Sequence, residues 1–321
     1  MRRIDGREVQ GGLEVDTDVV VVGSGPAGAT VARQLAAAGV GVVVVEAGHW
    51  LEPSDAERSA FAAMSAHYRD LGASVLMGRA QLPYLQGRAV GGGSVINGAI
   101  CWRLPRDSYD AFVAADPAFE EAIPWEELEE ATDEVEADLN VRPTDPAVAG
   151  PKNLLLGLGA ERLGLEHRPI RRNVRDCSGL GLCLQACPED HKLSLDRTYL
   201  RDAEAEGAMV MSGVQVRRVL TKRGRAVGVR GRADGGAGVT VNAKHALVLA
   251  ASAIQTPALL LRSGIRHGPV GRNLMCHPGV SMAGRFAEPV RMWEGATQGH
   301  EVTGLRSEGI KIEALGFGPA V

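Results

Sequence analysis

Residues 18–48 read DVVVVGSGPAGATVARQLAAAGVGVVVVEAG, and the fold class is decided here. Val19 to Val22 form a short, wholly apolar run, the pattern of a parallel strand buried on both faces. Gly23, Ser24, Gly25, Pro26, Ala27 and Gly28 then complete G-x-G-x-x-G. Beyond Pro26, apolar residues at Ala29, Val31, Ala32, Leu35 and Ala36 recur at helical spacing, and a second β-branched run, Val42 to Val45, ends in Glu46. The glycines have separate tasks: Gly23 makes the tight turn, Gly25 lets backbone approach a pyrophosphate, and Gly28 lets the helix pack on the strand. The helix N-terminus offers free N–H groups to the anion. Glu46, followed by Ala47, stands where a carboxylate accepts hydrogen bonds from an adenosine ribose. An isolated glycine motif is weak evidence, but strand, motif, helix and acidic residue in this order predict a dinucleotide site. An acidic residue at 46 favours FAD or NAD over NADP.

The bulk properties fit such a domain and exclude other classes. The chain has 321 residues, room for two ordinary domains or one large α/β domain with insertions. A net charge of -4 and 4% aromatic residues argue against a nucleic-acid partner, which calls for basic excess and stacking surfaces. The N-terminal MRRIDGREVQGGLEVD has no apolar core of a secretory signal, and no apolar run approaches bilayer length. The five cysteines do not resemble a disulfide framework, so the expected location is cytoplasmic, with reduced thiols.

A second glycine-rich stretch, GRAVGGGSVINGAICWR at 87–103, exposes successive backbone N–H groups from Gly91 to Ser94 and carries Asn97. Such a loop can cradle a pyrophosphate or a flavin edge, although on these residues alone a flexible surface loop remains an alternative. Together with GSGPAG at 23–28, SAIQTPALLLRSGI at 252–265 and VGRNLMCHPG at 270–279, it resembles the N-terminal portion of the glucose–methanol–choline (GMC) oxidoreductases, flavoenzymes that oxidise alcohols. The pattern departs from the family's at Arg266, where glycine is expected, and at Cys276, where aspartate is usual. The resemblance implies an α/β fold: an FAD-binding Rossmann-like domain interleaved with part of an α+β substrate-binding domain. The FAD domain is expected over 16–150 and 205–280, a cysteine-bearing insertion over 151–204, and the start of the substrate domain over 281–321. By the same resemblance, Gly23 through Gly28 hold the pyrophosphate of FAD and Glu46 the ribose. Gly92, Gly93, Ser94 and Asn97 contact the pyrophosphate and flavin side, Gly98 and Ala99 pass the isoalloxazine, and the backbone amide of Val216 reads adenine. In VQVRRVLTKRGRAVGV, alternating Val214, Val216 and Arg218 suggest a strand entering a hairpin at Lys222 to Gly224.

The stretch CSGLGLCLQACP at 177–188 places Cys177, Cys183 and Cys187 in C-x5-C-x3-C, ending in Pro188. Thiolates are the usual ligands of iron–sulfur clusters, and Gly179 and Gly181 would let backbone wrap one. Zinc is less favoured, since no fourth ligand stands at motif spacing and His191, four residues past Cys187, is the only candidate. Some dehydrogenases of the resembled family carry a three-iron [3Fe-4S] cluster on similarly spaced cysteines and pass electrons to a cytochrome. Others have a cysteine loop here with no cluster, and both readings stay open.

The acidic segment PWEELEEATDEVEADL at 124–139 predicts an amphipathic helix with a solvated glutamate face. The family's catalytic histidine is expected beyond Val321, so no catalytic residue is assigned; the resemblance makes the segment of His277 structural, and His49, beside Glu46, is expected to line the adenosine end or the surface. The resemblance implies a choline dehydrogenase-like oxidoreductase acting on the CH–OH group of a small alcohol or sugar-type substrate, with oxygen, a dye, a cytochrome or a quinone as acceptor. Two alternatives remain: a truncated, non-catalytic FAD-binding protein, and an NAD-dependent Rossmann oxidoreductase, which the loop at 91–94 disfavours because that fold needs no second cradle.

Overall fold

The computed structural model describes residues 2–53 and 59–316. The chain forms two compact units, Met1–Ile96 with Ser194–Ala287, and Asn97–Leu193 with Glu288–Val321. The expected spans followed motif function, whereas these units follow compactness; residues 317–321 of the expected 281–321 span lie outside the described residues.

The first unit is built on a seven-stranded sheet. Its strands in chain order are β1 (Arg2–Asp5), β2 (Leu13–Val22), β3 (Val42–Val45), β4 (Met209–Ser212), β5 (Val214–Lys222), β6 (Arg225–Ala233) and β7 (Gly238–Leu249). Their spatial order is β1-β4-β3-β2-β7-β6-β5, with the first five parallel and β6 and β5 adding an antiparallel meander. Val19–Val22 and Val42–Val45 are buried throughout, as a strand covered on both faces requires. Each such valine contributes roughly 1.5–3 kcal/mol by leaving water. β2 is longer than its apolar run, because Leu13–Thr17 pair with Val239–Ala243 of β7.

Helix α1 (Pro26–Ala37) returns the chain from β2 to β3. Pro26 opens it with a preset φ, and Ala29, Ala32 and Ala36 form its buried stripe. It stops where Gly39 turns at φ +76° and donates its N–H to Ala36 O. The predicted hairpin is present: β5 and β6 are joined by Arg223 and Gly224, both at positive φ, the geometry of a two-residue hairpin turn. The segment 252–265 contributes helix α2 (Ser252–Arg262).

In the second unit, His300–Val302 pairs antiparallel with both Ile312–Glu313 and His167–Pro169, and Val141–Pro143 pairs with Arg171–Asn173. A helix spans Trp125–Asp138, as the acidic pattern predicts. One expectation there needs correction. Glu136 is not on a solvated face; it is buried between Arg103 and Arg171, whose guanidiniums both donate to it. Two cations supplied by other segments make that burial tolerable.

Candidate cofactor site

The G-x-G-x-x-G loop leaves the carboxyl end of β2, between β3 and β7, and enters α1 at the crevice outside the strand ends. Ligands of open parallel sheets bind at this kind of crevice. Gly23 has φ +97°, and a Cβ there would strike the backbone of Ala250. A Cβ on Gly28 would overlap the carbonyl of Gly23, so the helix sits on the strand at a distance only glycine permits. Gly25, the N-cap residue, is extended, and a Cβ on it would meet Gly92 Cα at 3.9 Å. The first-turn amides of Ala27 and Gly28 have no intrahelical acceptor and are available to an anion.

The second glycine loop closes on the first. Gly91 and Gly92 have φ of +93° and +57°, and a Cβ on Gly92 would come within 2.8 Å of Gly25 Cα. Nothing lies within 4 Å of a Cβ placed on Gly93. Ser24 ties the loops together. Its buried hydroxyl donates to Glu46 Oε2 at 2.8 Å and accepts from Gly91 N at 3.0 Å. Ser94 Oγ donates to Gly91 O and accepts from Leu195 N, anchoring the second loop from behind.

Glu46 is buried and well held. Oε2 also accepts from Ser24 N at 3.0 Å, and Oε1 accepts from Gly48 N at 2.8 Å. A carboxylate has about four lone-pair sites, so a ligand hydroxyl still finds an acceptor there. Ala47 gives its carbonyl to Arg88 Nε. Val214 N donates to Glu46 O, and by strand alternation the amide of Val216 points to that same open edge of β5, away from β6. The structure thus brings together in the first unit Gly23 through Gly28, Glu46, Ala47, Gly92, Gly93, Ser94 and Val216. His49 sits beside them, bonded through Nε2 to Asp234 at 2.9 Å. The cradle, the free helix amides and the spare acceptor on Glu46 fit a dinucleotide such as FAD.

Asn97, Gly98 and Ala99 fall in the second unit. Asn97 Oδ1 accepts from Ala99 N at 3.1 Å, holding buried Ala99 at φ +63°. Lys192 Nζ donates to Asn97 O and to Cys183 O, and Arg172 Nε donates to Gly98 O. Sequence reading missed Arg172 and Lys192, since nothing in their local pattern announces a buried cation.

The cysteine loop is organised around Arg172, whose side chain is fully buried. Its Nη2 donates to Cys183 Sγ at 3.0 Å, and its Nη1 lies 3.9 Å from Cys177 Sγ. Burial pushes the Cys183 thiol up, but the charges of Arg172 and Lys192 and bonds from Thr297 outweigh it, and the net shift is downward. The loop glycines serve backbone packing: Gly179 O accepts from Gly295 N, and Gly181 O from Thr297 Oγ1. Among the described residues, no three His, Cys, Asp or Glu side chains are grouped to hold a metal ion. The three-iron expectation for Cys177, Cys183 and Cys187 therefore finds no support in this donor set.

Comparison with known proteins finds both sequence relatives and structures of similar fold. A family model described as "GMC oxidoreductase" matches residues 17–279. A GMC-type oxidoreductase of Mycobacterium tuberculosis is 38% identical over 313 residues, covering 95% of this chain and 48% of the relative. A long-chain-alcohol oxidase of Arabidopsis thaliana is 31% identical over 302 residues, covering 89% of this chain and 39% of the relative. The crystal structure of pyridoxine 4-oxidase from Mesorbium loti superposes with a TM-score of 0.55 at 20% identity, covering 78% of this chain and 52% of that one. The chain spans about half the length of the curated relatives it matches.

Proposed function

The chain belongs to the GMC oxidoreductase family, and on that premise we propose that it is the FAD-binding part of an enzyme that oxidises the CH–OH group of an alcohol. The observation that carries this reading is the double cradle, in which Ser24 links the loop at 23–28 to the loop at 91–94 through Gly91 N and Glu46. A simple nicotinamide-binding fold has no use for the second loop.

A bound FAD would supply the hydride acceptor for the carbon that bears the hydroxyl. The residues of this chain bind and orient. The amides of Ala27 and Gly28 and the helix end face the pyrophosphate charge. Glu46 takes a ribose hydroxyl on its remaining acceptor site, and the Val216 amide serves the adenine edge. Gly92 and Gly93 leave room for the chain of phosphates, and Ser94 keeps the second loop in place. Asn97, Gly98 and Ala99 are assigned to the flavin side, where the strained Ala99 fixes the path of the backbone. The relationship to the Arabidopsis long-chain-alcohol oxidase supports an alcohol as substrate. The electrons leave to an external acceptor.

The test is an ultraviolet–visible spectrum of anaerobically purified protein with iron quantified on the same sample. Two resolved flavin bands support the reading, and iron near zero leaves the cysteine loop a packing element. Absence of flavin bands after incubation with excess FAD overturns it.

A further inference from the structure

The second unit contains a cleft of about 520 Å³, within the usual range of small-molecule sites. Arg103, Arg168, Arg171 and Arg306 line it, against two carboxylates, Glu166 and Glu301. Glu301 is already satisfied: it is 1% exposed and accepts from Trp102 Nε1 at 2.8 Å and Arg168 Nε at 2.7 Å, with Lys311 Nζ at 2.9 Å. Glu166 is exposed at the rim.

Several donors are left over. Arg168 spends only Nε on Glu301, and neither Nη has an acceptor among the described residues. Arg171 gives Nη1 to Glu136 at 2.7 Å and has further N–H groups to offer. The Thr303 hydroxyl has no hydrogen-bond partner although the residue is only 9% exposed, and Arg103 Nε is buried and unpartnered as well. Buried polar groups are nearly always paired, so the Thr303 hydroxyl calls for an acceptor arriving through the cleft it lines, where the half-exposed guanidiniums of Arg168 and Arg171 have N–H groups to spare. A cation would meet four guanidiniums, and an apolar ligand would leave every donor unpaired.

We propose that this cleft is an oxyanion-binding site, taking a small molecule that presents a carboxylate or phosphoryl group to Arg168, Arg171 and Thr303. The guanidinium fork matches both groups, offering two parallel N–H donors. The indole of Trp102 carries Lys311 Nζ 4.2 Å and Arg168 Cζ 5.6 Å from its ring centroid, which holds further positive charge at the cleft. The inference is independent of the flavin reading, because the second unit builds the cleft from its own residues.

The experiment is calorimetric titration of the full chain, without added FAD, with succinate and separately with inorganic phosphate, at fixed ionic strength in chloride. Saturable binding of either is expected, and which of the two binds identifies a carboxylate or a phosphoryl site. Arg168→Gln and Thr303→Val are each expected to weaken it by about tenfold or more, about 1.4 kcal/mol. Thr303→Val removes a hydroxyl that has no partner, so the ligand-free melting temperature should hold or rise while affinity falls. That split separates a ligand contact from a structural role, and it remains readable if Arg168→Gln folds poorly. No saturable binding of either anion, or parent-like affinity in Thr303→Val, overturns the proposal.

Discussion

Replacing Gly92 by alanine tests the double cradle where its two loops touch. The new Cβ would stand 2.8 Å from Gly25 Cα, against about 3.5–4.0 Å for relaxed carbon atoms, so the loops must part by roughly 0.7–1.2 Å. The residue also sits at φ +57°, which costs a non-glycine about 1–2 kcal/mol. With about 1–2 kcal/mol for the overlap, the expected loss is roughly 2–4 kcal/mol. The neighbouring atoms are backbone on both sides, so no rotamer change relieves it. For a unit of about 190 residues, an unfolding entropy of about 0.4 kcal/mol/K converts this to a fall of about 5–10 °C in Tm. Gly25→Ala is the matched control. Its Cβ would meet Gly92 Cα at an ordinary 3.9 Å and its backbone is already extended, so the ligand-free protein should melt as the parent does. The methyl group nonetheless occupies the path of the pyrophosphate, and FAD affinity should drop on the order of tenfold or more. Scanning fluorimetry of ligand-free protein and titration by quenching of FAD fluorescence read the two quantities separately. Unchanged melting in Gly92→Ala would refute the packing argument, and parent-like FAD affinity in Gly25→Ala would refute the placement of the pyrophosphate.

Ser24→Ala leaves Gly91 N without its acceptor and removes one donor from Glu46, a loss of about 1–3 kcal/mol with weaker FAD binding; a melt at parent temperature counts against the link. Glu136→Ala takes the carboxylate partner from Arg171, while Arg103 keeps Asp133, and should cost about 1–3 kcal/mol, read by urea unfolding. The guanidinium of Arg103, ahead of Arg171, holds the Glu136 carboxyl below its usual 4.5. Its stabilisation is therefore full above pH 4.5 and is lost as pH falls below it, so Glu136→Gln should flatten the acid side of the stability profile. Burial pulls Lys152 down from 10.5 to about 8. Between those values the unfolded chain binds more protons than the folded one, so stability should rise with pH relative to Lys152→Met. Parallel Tm profiles for parent and Lys152→Met from pH 7 to 10 would contradict this.

The strand of four valines at 42–45 and the turn between Lys222 and Arg225 were readable because each depends on short-range rules: continuous apolar character for a strand covered on both faces, and residues that tolerate positive φ for the hairpin. The glycine spacing at 23–28 was readable for the same reason, since the steric demand of a strand–turn–helix is met within a few residues. The pairing of β1 with β4 was not, because Arg2–Asp5 and Met209–Ser212 are separated by two hundred residues and only the assembled sheet sets their register. Gly179 and Gly181 suggest a loop wrapping a cluster when seen in sequence; their neighbours in space are Val148 and the backbone of Trp293 and Gly295.

By itself the sequence determined a dinucleotide-binding α/β fold, the first glycine loop and the acidic residue that accompanies it, through local periodicity and short-range steric need. Tertiary structure alone decided that Ser24 joins the two glycine loops, that Glu136 is buried between two arginines, that Arg172 reaches Cys183 in the cysteine loop, and that the Thr303 hydroxyl is buried without a partner. The physical reason is common to all four. The energy of a buried charge or hydroxyl depends on which partners distant segments bring within about 3 Å of it, and no local period encodes that meeting.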